Sequence, residues 1–421
     1  MFDTTRRKPD YFLLTAVGIL VPIGMVMVYS ASFMDALAND LGHLYYTWRQ
    51  LVGVIIGTIG LLVAQRLDYR FWRKYSVPLL AATLVLLVLV LVLPESMTTV
   101  NDTRSWIIIG NFSMQPAEIA KLALIVYFAD WLSRRGAKLG NVTYGLIPFA
   151  VILGIVCGLV MIGGDLGTTV VLLVISGIIY FTAGANLLHI AGAMTVAAGA
   201  FWMMVQIAPY RLARVTVWLE GPFQHYQEGG FQPAHAMLAL GNGGIFGVGL
   251  GQGRQKFLWL PQAHTDTIFA IIGEEFGLIG TVFIVACFLV IAYRGFRIAG
   301  RAPDPFACLL ATGLTAWLVF QALINIAVVT NLLPFTGLPL PFLSYGNSSL
   351  IMCMIAAGIL LNISRHTRDR NPGERTYVAP TSSRTTRSFA DFLPLWGRDR
   401  RPRVSGTRSR RSTARTGVRQ R

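Results

Sequence analysis

Long apolar runs recur along this chain from about residue 11 to residue 363, and they limit the fold more than any other feature. A transmembrane helix needs about 20 apolar residues in succession, because the hydrocarbon core of a bilayer is roughly 30 Å thick. The mean hydropathy of +0.57 fits such a composition, as does a charged fraction of only 13%. The sequence therefore predicts an all-α polytopic membrane protein.

The apolar runs predict about ten transmembrane helices. They lie at about residues 11–29, 51–64, 77–93, 116–132, 145–162, 166–182, 187–207, 267–293, 306–330 and 348–363. The first run precedes a Ser-Ala-Ser sequence that resembles a signal-peptide cleavage site, but the many later spans favour an uncleaved first helix. All four cysteines fall within apolar segments, so we expect free thiols and no disulfides.

Basic residues indicate the orientation of these helices. Basic clusters occur at the N-terminus, after the second, fourth and eighth spans, and in the C-terminal tail, and ten spans bring all of them to one side. That side is the cytoplasm by the positive-inside rule, so both termini are predicted to be cytoplasmic. Residues 208–267, between helices 7 and 8, then form a large extracytoplasmic loop.

The tail accounts for most of the charge. Residues 365–421 contain 16 arginines and four acidic residues, a net charge of +12 out of +16 for the chain. Such a segment has too few apolar residues to bury a core. We therefore expect a transmembrane domain over residues 1–364 and a basic, disordered cytoplasmic tail over residues 365–421. We expect the tail to meet membrane lipids and not nucleic acid.

The stretch from Phe257 to Gly280 combines ionisable groups with membrane-grade hydrophobicity. It contains His264, Asp266 and Glu275, and charges in such surroundings are costly and usually functional. A helix beginning near Thr267 would make Asp266 its N-cap, which is the structural alternative.

Other polar residues are predicted on the same outward side. Glu118 and Lys121 are three residues apart and share a helix face, as an ion pair or as part of a site. Asp165 follows two glycines and suits a helix cap. The further candidates are Arg104 in a polar loop, Arg211 on a helix predicted to lie at the interface, and Arg254 and Lys256 after a glycine-rich run that is not a Walker loop.

Four motifs in order along the chain resemble the SEDS family (shape, elongation, division and sporulation). They read QPAEIAK, GGDLGTTVV, GLGQGRQKFLWLPQAHTDTIFAIIGEE and LPFTGLPLPFLSYGNSS, and the resemblance covers about residues 10–365. The segments DYFLL and YFADWLSRR look closer to the division branch than to the elongation branch. The chain departs from the family pattern at His235 and Ala236, at Gly163-Gly164, at Thr267 and at Asn347.

The resemblance implies a peptidoglycan glycosyltransferase that polymerises lipid II at the outer face of the cytoplasmic membrane. Inversion at the anomeric carbon indicates a single displacement of undecaprenyl diphosphate, which needs a base for the acceptor hydroxyl and cations for the leaving group. Asp266 is the predicted base, His264 is its rival, and Lys121 and Glu118 complete the catalytic set. The predicted substrate-binding residues are Arg104, Asp165, Arg211, Arg254, Lys256, His264, Glu275 and Ser348. The resemblance implies no certain cofactor, and a divalent cation remains open.

The same resemblance implies partners in the cell-division machinery. The main one is a class b penicillin-binding protein, a transpeptidase with a single transmembrane helix, and other divisome proteins follow from the division assignment. We expect the partner helix to cover apolar side chains of the eighth and ninth spans. These are Phe283, Phe288, Leu289, Leu318 and Val319.

Three alternatives remain at this level. The first is the same polymerase acting in cell elongation instead of division. A lipid II flippase would also be polytopic with proline-broken helices, but a transporter should carry its charges near the midplane of paired repeats. Here the charges gather toward the outer helix ends, and the two halves show no repeat. A ligase of lipid-linked polysaccharide would share the chemistry without these motifs.

Overall fold

The computed structural model consists almost entirely of helices that pack along one another. It describes residues 8–100, 103–110, 112–136, 139, 141–186, 188, 189, 191, 192, 195, 199, 202, 203, 206 and 209–367. The helices are α1 (Tyr11–Ala38), α2 (Tyr45–Arg66), α3 (Arg70–Lys74), α4 (Ser76–Val92), α5 (Glu95–Thr98), α6 (Pro116–Ser133), α7 (Ile147–Ile162), α8 (Leu166–Thr182), α9 (Pro209–Glu220), α10 (Phe231–Gly243), α11 (Ile268–Gly300), α12 (Pro305–Val329) and α13 (Asn347–Ser364).

Two short antiparallel hairpins interrupt this helical pattern between α5 and α6. In the first, β1 (Thr99–Val100) pairs with β2 (Thr103–Arg104), and in the second, β3 (Ile107–Ile109) pairs with β4 (Phe112–Met114). The sequence analysis expected a polar loop here. β-branched residues at Thr99, Val100 and Ile107–Ile109 suit strands, but each run is too short for strand periodicity to show.

The predicted membrane spans are confirmed in kind and only partly in number. Among the described residues, six helices are long and apolar enough to cross a membrane: α1, α2, α7 with the turn before it, α11, α12 and α13. The apolar helices α4 and α8 are shorter. The predicted seventh span, residues 187–207, lies mostly outside the described residues, so the total of ten stays a prediction.

The helix boundaries follow from local chemistry. Asp10, Asp165 and Asp304 cap α1, α8 and α12, because each carboxylate accepts a hydrogen bond from the backbone N–H three residues later. Pro116 and Pro305 occupy first helical positions, where a missing N–H costs nothing.

The helix α12 forms the centre of the bundle. Within its membrane-length stretch 83% of the residues are buried, against 39% for α1. Beside it, α13 packs closely on α2, where glycines permit the approach: a Cβ at Gly57 would lie 2.6 Å from the sulfur of Met354, and one at Gly358 would lie 2.5 Å from the Leu61 carbonyl oxygen. Small residues play this role widely in membrane helices.

The helix α11 is broken at Gly277, whose φ of 65° favours glycine. The break leaves the carbonyls of Glu274 and Glu275 without their usual helical donors. The glycine-rich loop after α10 (residues 244–253) supplies replacement donors. The backbone N–H of Val248 donates to the Glu274 carbonyl, and that of Gly249 donates to the Glu275 carbonyl. In return, the N–H groups of residues 278 and 279 donate to the carbonyls of residues 244 and 245. The loop and the broken helix therefore form one unit.

Part of the expected partner face is wrong. Phe288, Leu318 and Val319 are buried within the bundle, with exposed fractions of at most 7%. Leu318 and Val319 lie on the central helix α12, and Phe288 lies on the side of α11 that packs into the hydrophobic core. Only Phe283 and Leu289, on α11, remain exposed at the surface.

Candidate active site

A buried ion pair lies two turns into α6. The Lys121 ammonium donates hydrogen bonds to the Glu118 carboxylate, at 2.8 Å, and to the side-chain oxygen of Gln321, at 2.7 Å. The Trp317 indole N–H donates to that same oxygen, and its ring lies 5.2 Å from the ammonium. Lys121 and Glu118 thus share a helix face, as predicted, and both are at least 99% buried. One oxygen of Glu118, Oε2, has no partner among the described residues.

Asp266 lies in the loop before α11, and its capping interpretation is wrong. The helix begins at Ile268 and Thr267 holds the N-cap position, so Asp266 falls one residue too early. Its Oδ1 accepts a hydrogen bond from the Thr265 hydroxyl at 3.0 Å. Burial raises the pKa of the carboxyl from 3.8 to about 6, although Thr265 and the positive charge of Arg214 act in the opposite direction.

Two amides on α12 connect these groups. The Asn325 amide donates to the backbone carbonyl of Asp266 at 2.7 Å, whereas Gln321 accepts from Lys121. Residues four apart lie on one helix face about 6 Å apart along the axis. The same two amides also donate to the proline-rich loop before α13 (residues 333–346): Gln321 donates to the Pro339 carbonyl and Asn325 to the Leu338 carbonyl. The structure therefore gathers α6, the Asp266 loop and the proline-rich loop around one face of α12.

His264 is held among aromatic rings. Its ring centroid lies 4.5 Å from that of Tyr46 and 5.4 Å from that of Tyr345, and its backbone carbonyl accepts from the Tyr345 N–H at 2.8 Å. Burial lowers the pKa of the His264 imidazole, while the negative charge of Asp35 opposes that effect. Burial thus favours the neutral form of the ring.

Three other predicted residues meet near Gln115, at the start of α6. The Gln115 side chain donates to Asp165 at 2.9 Å, and its backbone N–H donates to the Ser348 hydroxyl at 3.2 Å. Asp165 also caps α8 through the Thr168 N–H. Arg104 lines a cavity with Asp165, but this cavity measures about 10 Å³, room for roughly one water molecule.

Arg104 and Arg254 are the predicted cations with solvent-exposed surface. The Arg104 guanidinium donates to the Leu93 carbonyl and lies 3.7 Å from Glu95, leaving 36% of its side chain exposed. Arg254 is exposed, and its backbone N–H is held by the Glu274 carboxylate at 2.9 Å. The side chain of Arg211 lies outside the described residues, although α9 includes its backbone.

Lys256 and Glu275 form a second buried pair. The Lys256 ammonium lies 2.7 Å from a Glu275 oxygen and 2.9 Å from the Ser30 hydroxyl, which donates to the same oxygen. Both side chains are fully buried. This pair connects the segment that carries Lys256 to α1 and α11, and it is shielded from solvent.

Comparison with known proteins gives a family. The model of a family described as a cell cycle protein, comprising FtsW, RodA and SpoVE, matches residues 11–369. The chain belongs to this family. The resemblance predicted from the four motifs is therefore confirmed. With its long apolar helices, this member of the FtsW/RodA/SpoVE family is a multi-pass protein of the cytoplasmic membrane.

Individual relatives agree along nearly the whole membrane part. FtsW of Trichlorobacter lovleyi, named a probable peptidoglycan glycosyltransferase, is 42% identical over 364 residues, which are 85% of this chain and 95% of the relative. Stage V sporulation protein E of Bacillus subtilis is 41% identical over 368 residues, covering 87% of this chain and 99% of the relative.

Solved structures share the fold. One chain, from a peptidoglycan synthase complex described as coordinating polymerization and crosslinking, gives a TM-score of 0.70 at 28% identity and covers 85% of this chain and 98% of that one. The rod shape determining protein RodA of Thermus thermophilus gives 0.63 at 27% identity, with 86% and 98% covered.

Sequence reasoning about this FtsW/RodA/SpoVE member missed the amides that join the site. Gln321 and Asn325 are polar residues four apart in an otherwise apolar helix, and that spacing is a usable signal. Tyr46 and Tyr345 carry no such signal, because aromatic residues are common at membrane interfaces.

One structural observation bears on whether the protein holds a divalent cation. Within the part of the chain that the structure describes, no group of three or more His, Cys, Asp or Glu side chains could hold a metal ion.

Proposed function

We propose that this chain, which is a peptidoglycan glycosyltransferase of the FtsW/RodA/SpoVE family, polymerises lipid II into glycan strands with Asp266 as the general base. Its relatives are named peptidoglycan glycosyltransferases, which supports the reaction class. The observation that carries the assignment of the base is the half-buried Asp266 carboxyl with its pKa raised to about 6, beside the face of α12 that also holds Lys121.

Asp266 suits the proton transfer. A base is most effective when its pKa lies near the working pH, and a carboxyl with a pKa of about 6 is still mainly ionised at pH 7. Asp266 takes the proton from the 4-hydroxyl of the acceptor sugar as that oxygen attacks the anomeric carbon. The bond from that carbon to the diphosphate oxygen breaks, and its electron pair leaves with undecaprenyl diphosphate. Attack from the opposite face converts the α bond into a β bond.

The cations have separate tasks in this proposal. Arg104 and Arg254 keep exposed surface and stabilise the charge that develops on the departing diphosphate. Lys121 and Glu118 form a buried ion pair next to the Asp266 loop. Lys256 and Glu275 hold the loop in place from within the protein.

His264 has a positioning role. Burial lowers the pKa of its imidazole and so weakens it as a base, and two tyrosine rings restrict its rotation. Its backbone carbonyl fixes the segment that precedes Asp266. These properties favour Asp266 over His264 as the base.

The biological setting follows from the same relationships. A similar chain acts within a peptidoglycan synthase complex, and we infer a class b penicillin-binding protein as the partner of this chain, together with other divisome proteins. The FtsW relatives favour a division role over an elongation role. In this proposal the active side faces outward and both termini are cytoplasmic. The predicted basic tail, residues 365–421, lies outside the described residues after residue 367.

Incubation of the purified protein with lipid II, with and without the partner transpeptidase, tests the proposal. Glycan strands released with undecaprenyl diphosphate are the expected product. A protein that moves lipid II between leaflets of vesicles but makes no glycan under either condition would be a flippase, and the proposed reaction would be wrong.

A further inference from the structure

Three separate segments converge on an open cleft at the far end of α11 from Asp266. The cleft has a volume of about 290 Å³ and is bounded by the residues before and at the start of α1, the last turns of α11 and the end of α13. Four basic side chains line it, Lys8, Arg294, Arg297 and Arg301, together with one acid, Asp10. Its net charge is therefore +3.

The single carboxylate is already engaged. Asp10 accepts two hydrogen bonds from the Nε of Arg294, at 3.0 and 2.8 Å, and one from the Leu13 N–H at the start of α1. Among the residues that the structure describes, no carboxylate lies within ion-pair distance of Arg297 or Arg301. The cleft thus concentrates positive charge that none of the described residues neutralises at Arg297 or Arg301.

The cleft lies at the level of the lipid headgroups. Residues 278–300, the part of α11 after its break, span roughly 34 Å at 1.5 Å per residue, enough to cross a hydrocarbon core of about 30 Å. Exposed aromatic rings surround the cleft, as is typical of the membrane interface: Tyr11, Phe12 and Tyr293 are 56%, 65% and 65% exposed. The Arg294 guanidinium lies 4.7 Å from the ring of Phe12.

We propose that this cleft binds the phosphate headgroup of an anionic membrane phospholipid. Guanidinium groups match phosphate oxygens in pairs of hydrogen bonds, and basic pockets between transmembrane helices recognise acidic headgroups. The adjacent exposed aromatic rings provide an apolar path for the acyl chains, which a soluble phosphate would not use. A bound lipid bridges the segment before α1 to the ends of α11 and α13, and so links the N-terminus to the start of the tail.

Lipid binding to the full chain in detergent micelles tests this site without reference to glycan synthesis. Native mass spectrometry would count phosphatidylglycerol and phosphatidylcholine bound to the wild type and to Arg297→Gln/Arg301→Gln. The matched control is Arg66→Gln/Lys74→Gln, which removes the same charge outside the cleft. Arg66 lies at the same end of the bundle, since Asn362 at the end of α13 donates to the neighbouring carbonyl of Gln65. All variants retain the basic tail, so its contribution cancels.

The preference for phosphatidylglycerol over phosphatidylcholine should fall about fivefold for each arginine removed from the cleft. It should change little in the control. Arg297→Lys/Arg301→Lys keeps the charge and should recover most of the preference, which also guards against a folding defect. Photo-crosslinking with phosphatidylglycerol should label residues 8–12 and 294–301.

Two results would overturn the proposal. Equal losses in the cleft variant and its control would show that only the general surface charge attracts the lipid. Displacement of phosphatidylglycerol by inorganic phosphate at equal concentration would show that the cleft takes a soluble anion and not a lipid.

Discussion

At the scale of single residues, Asp266 differs from an exposed aspartate in its strength as a base and in the pH range over which it titrates. Burial raises the pKa of its carboxyl to about 6, which makes the carboxylate a stronger base and brings its titration close to neutral pH. Because the base must be ionised, polymerisation should increase as the pH rises through about 6. The same group must also pay a desolvation cost when it is charged.

Replacement of the proposed base gives the first prediction. Asp266→Asn should reduce lipid II polymerisation by at least about a hundredfold, because the Asn amide cannot take the proton from the hydroxyl of the acceptor sugar. Asp40→Asn is the matched control, since Asp40 is exposed in the turn after α1 and loses the same charge. Near-normal turnover of Asp266→Asn combined with an inactive His264→Ala would transfer the role to His264.

The same substitution should stabilise the folded protein, in a pH-dependent way. The folded state holds the Asp266 proton more tightly than the unfolded chain, so Asp266 costs stability as the pH rises from 3.8 to about 6. Asp266→Asn removes this cost, which amounts to at most about 3 kcal/mol and less after solvent screening. Thermal unfolding in detergent should therefore give a clearly higher Tm for the variant at pH 7.5 and a much smaller difference at pH 4. An equal shift at both values would contradict the raised pKa.

The buried pair on α6 gives a third prediction. Lys121→Met leaves the Glu118 carboxylate buried and unpaired, which should cost about 3–5 kcal/mol. Lys121→Met/Glu118→Gln should be more stable than Lys121→Met alone, because the orphaned charge is gone. The control is Arg134→Met on the same helix, where Arg73 still pairs with Asp130 and the loss should be below about 1 kcal/mol. Additive effects of the two substitutions on unfolding would contradict a direct pairing.

At the scale of elements, the break in α11 positions the segment that leads to Asp266. The glycine-rich loop hydrogen-bonds the backbone groups that the break exposes, and Glu274 and Glu275 hold Arg254 and Lys256 beyond it. The segment that leads to Asp266 is therefore fixed at both of its ends by one helix.

A pair of glycines in that loop makes this testable. Gly247 and Gly251 have the same φ of 79°, so alanine strains the backbone equally at both. A Cβ at Gly247 would lie 2.2 Å from the Glu275 carbonyl oxygen, whereas none of the described atoms lies within 4 Å of one at Gly251. Gly247→Ala should consequently lower both the Tm and the polymerisation rate well below those of Gly251→Ala. Equal losses would show that only the backbone conformation matters.

The helices themselves were predictable, but their arrangement was not. Most apolar runs became helices within a few residues of the predicted bounds, because hydrophobic length and the capping residues Asp165 and Pro116 act locally. The break at Gly277 was missed, since its cause is a distant loop that replaces the helical hydrogen bonds. Asp266 was selected from its motif and its cost in an apolar setting, whereas its link to Asn325 depends on tertiary packing.

At the scale of the whole molecule, the two ends of α11 face different surroundings. Its first turn adjoins Asp266, and its last turn, with Arg297, lines the basic cleft beside Thr367. We therefore expect the chain to leave the transmembrane part at the membrane face opposite the proposed active site.

This separation predicts that the basic tail is dispensable for catalysis. Deletion of residues 371–421 removes most of the excess charge of the chain, but it touches no described residue of the site around Asp266. Polymerisation of lipid II in detergent should consequently stay close to that of the full chain. Association with vesicles containing anionic lipid should weaken, because each arginine near such a surface contributes about 1 kcal/mol. Loss of polymerisation in a truncated protein that remains monodisperse and keeps its Tm would show that the tail is coupled to the active site across the membrane.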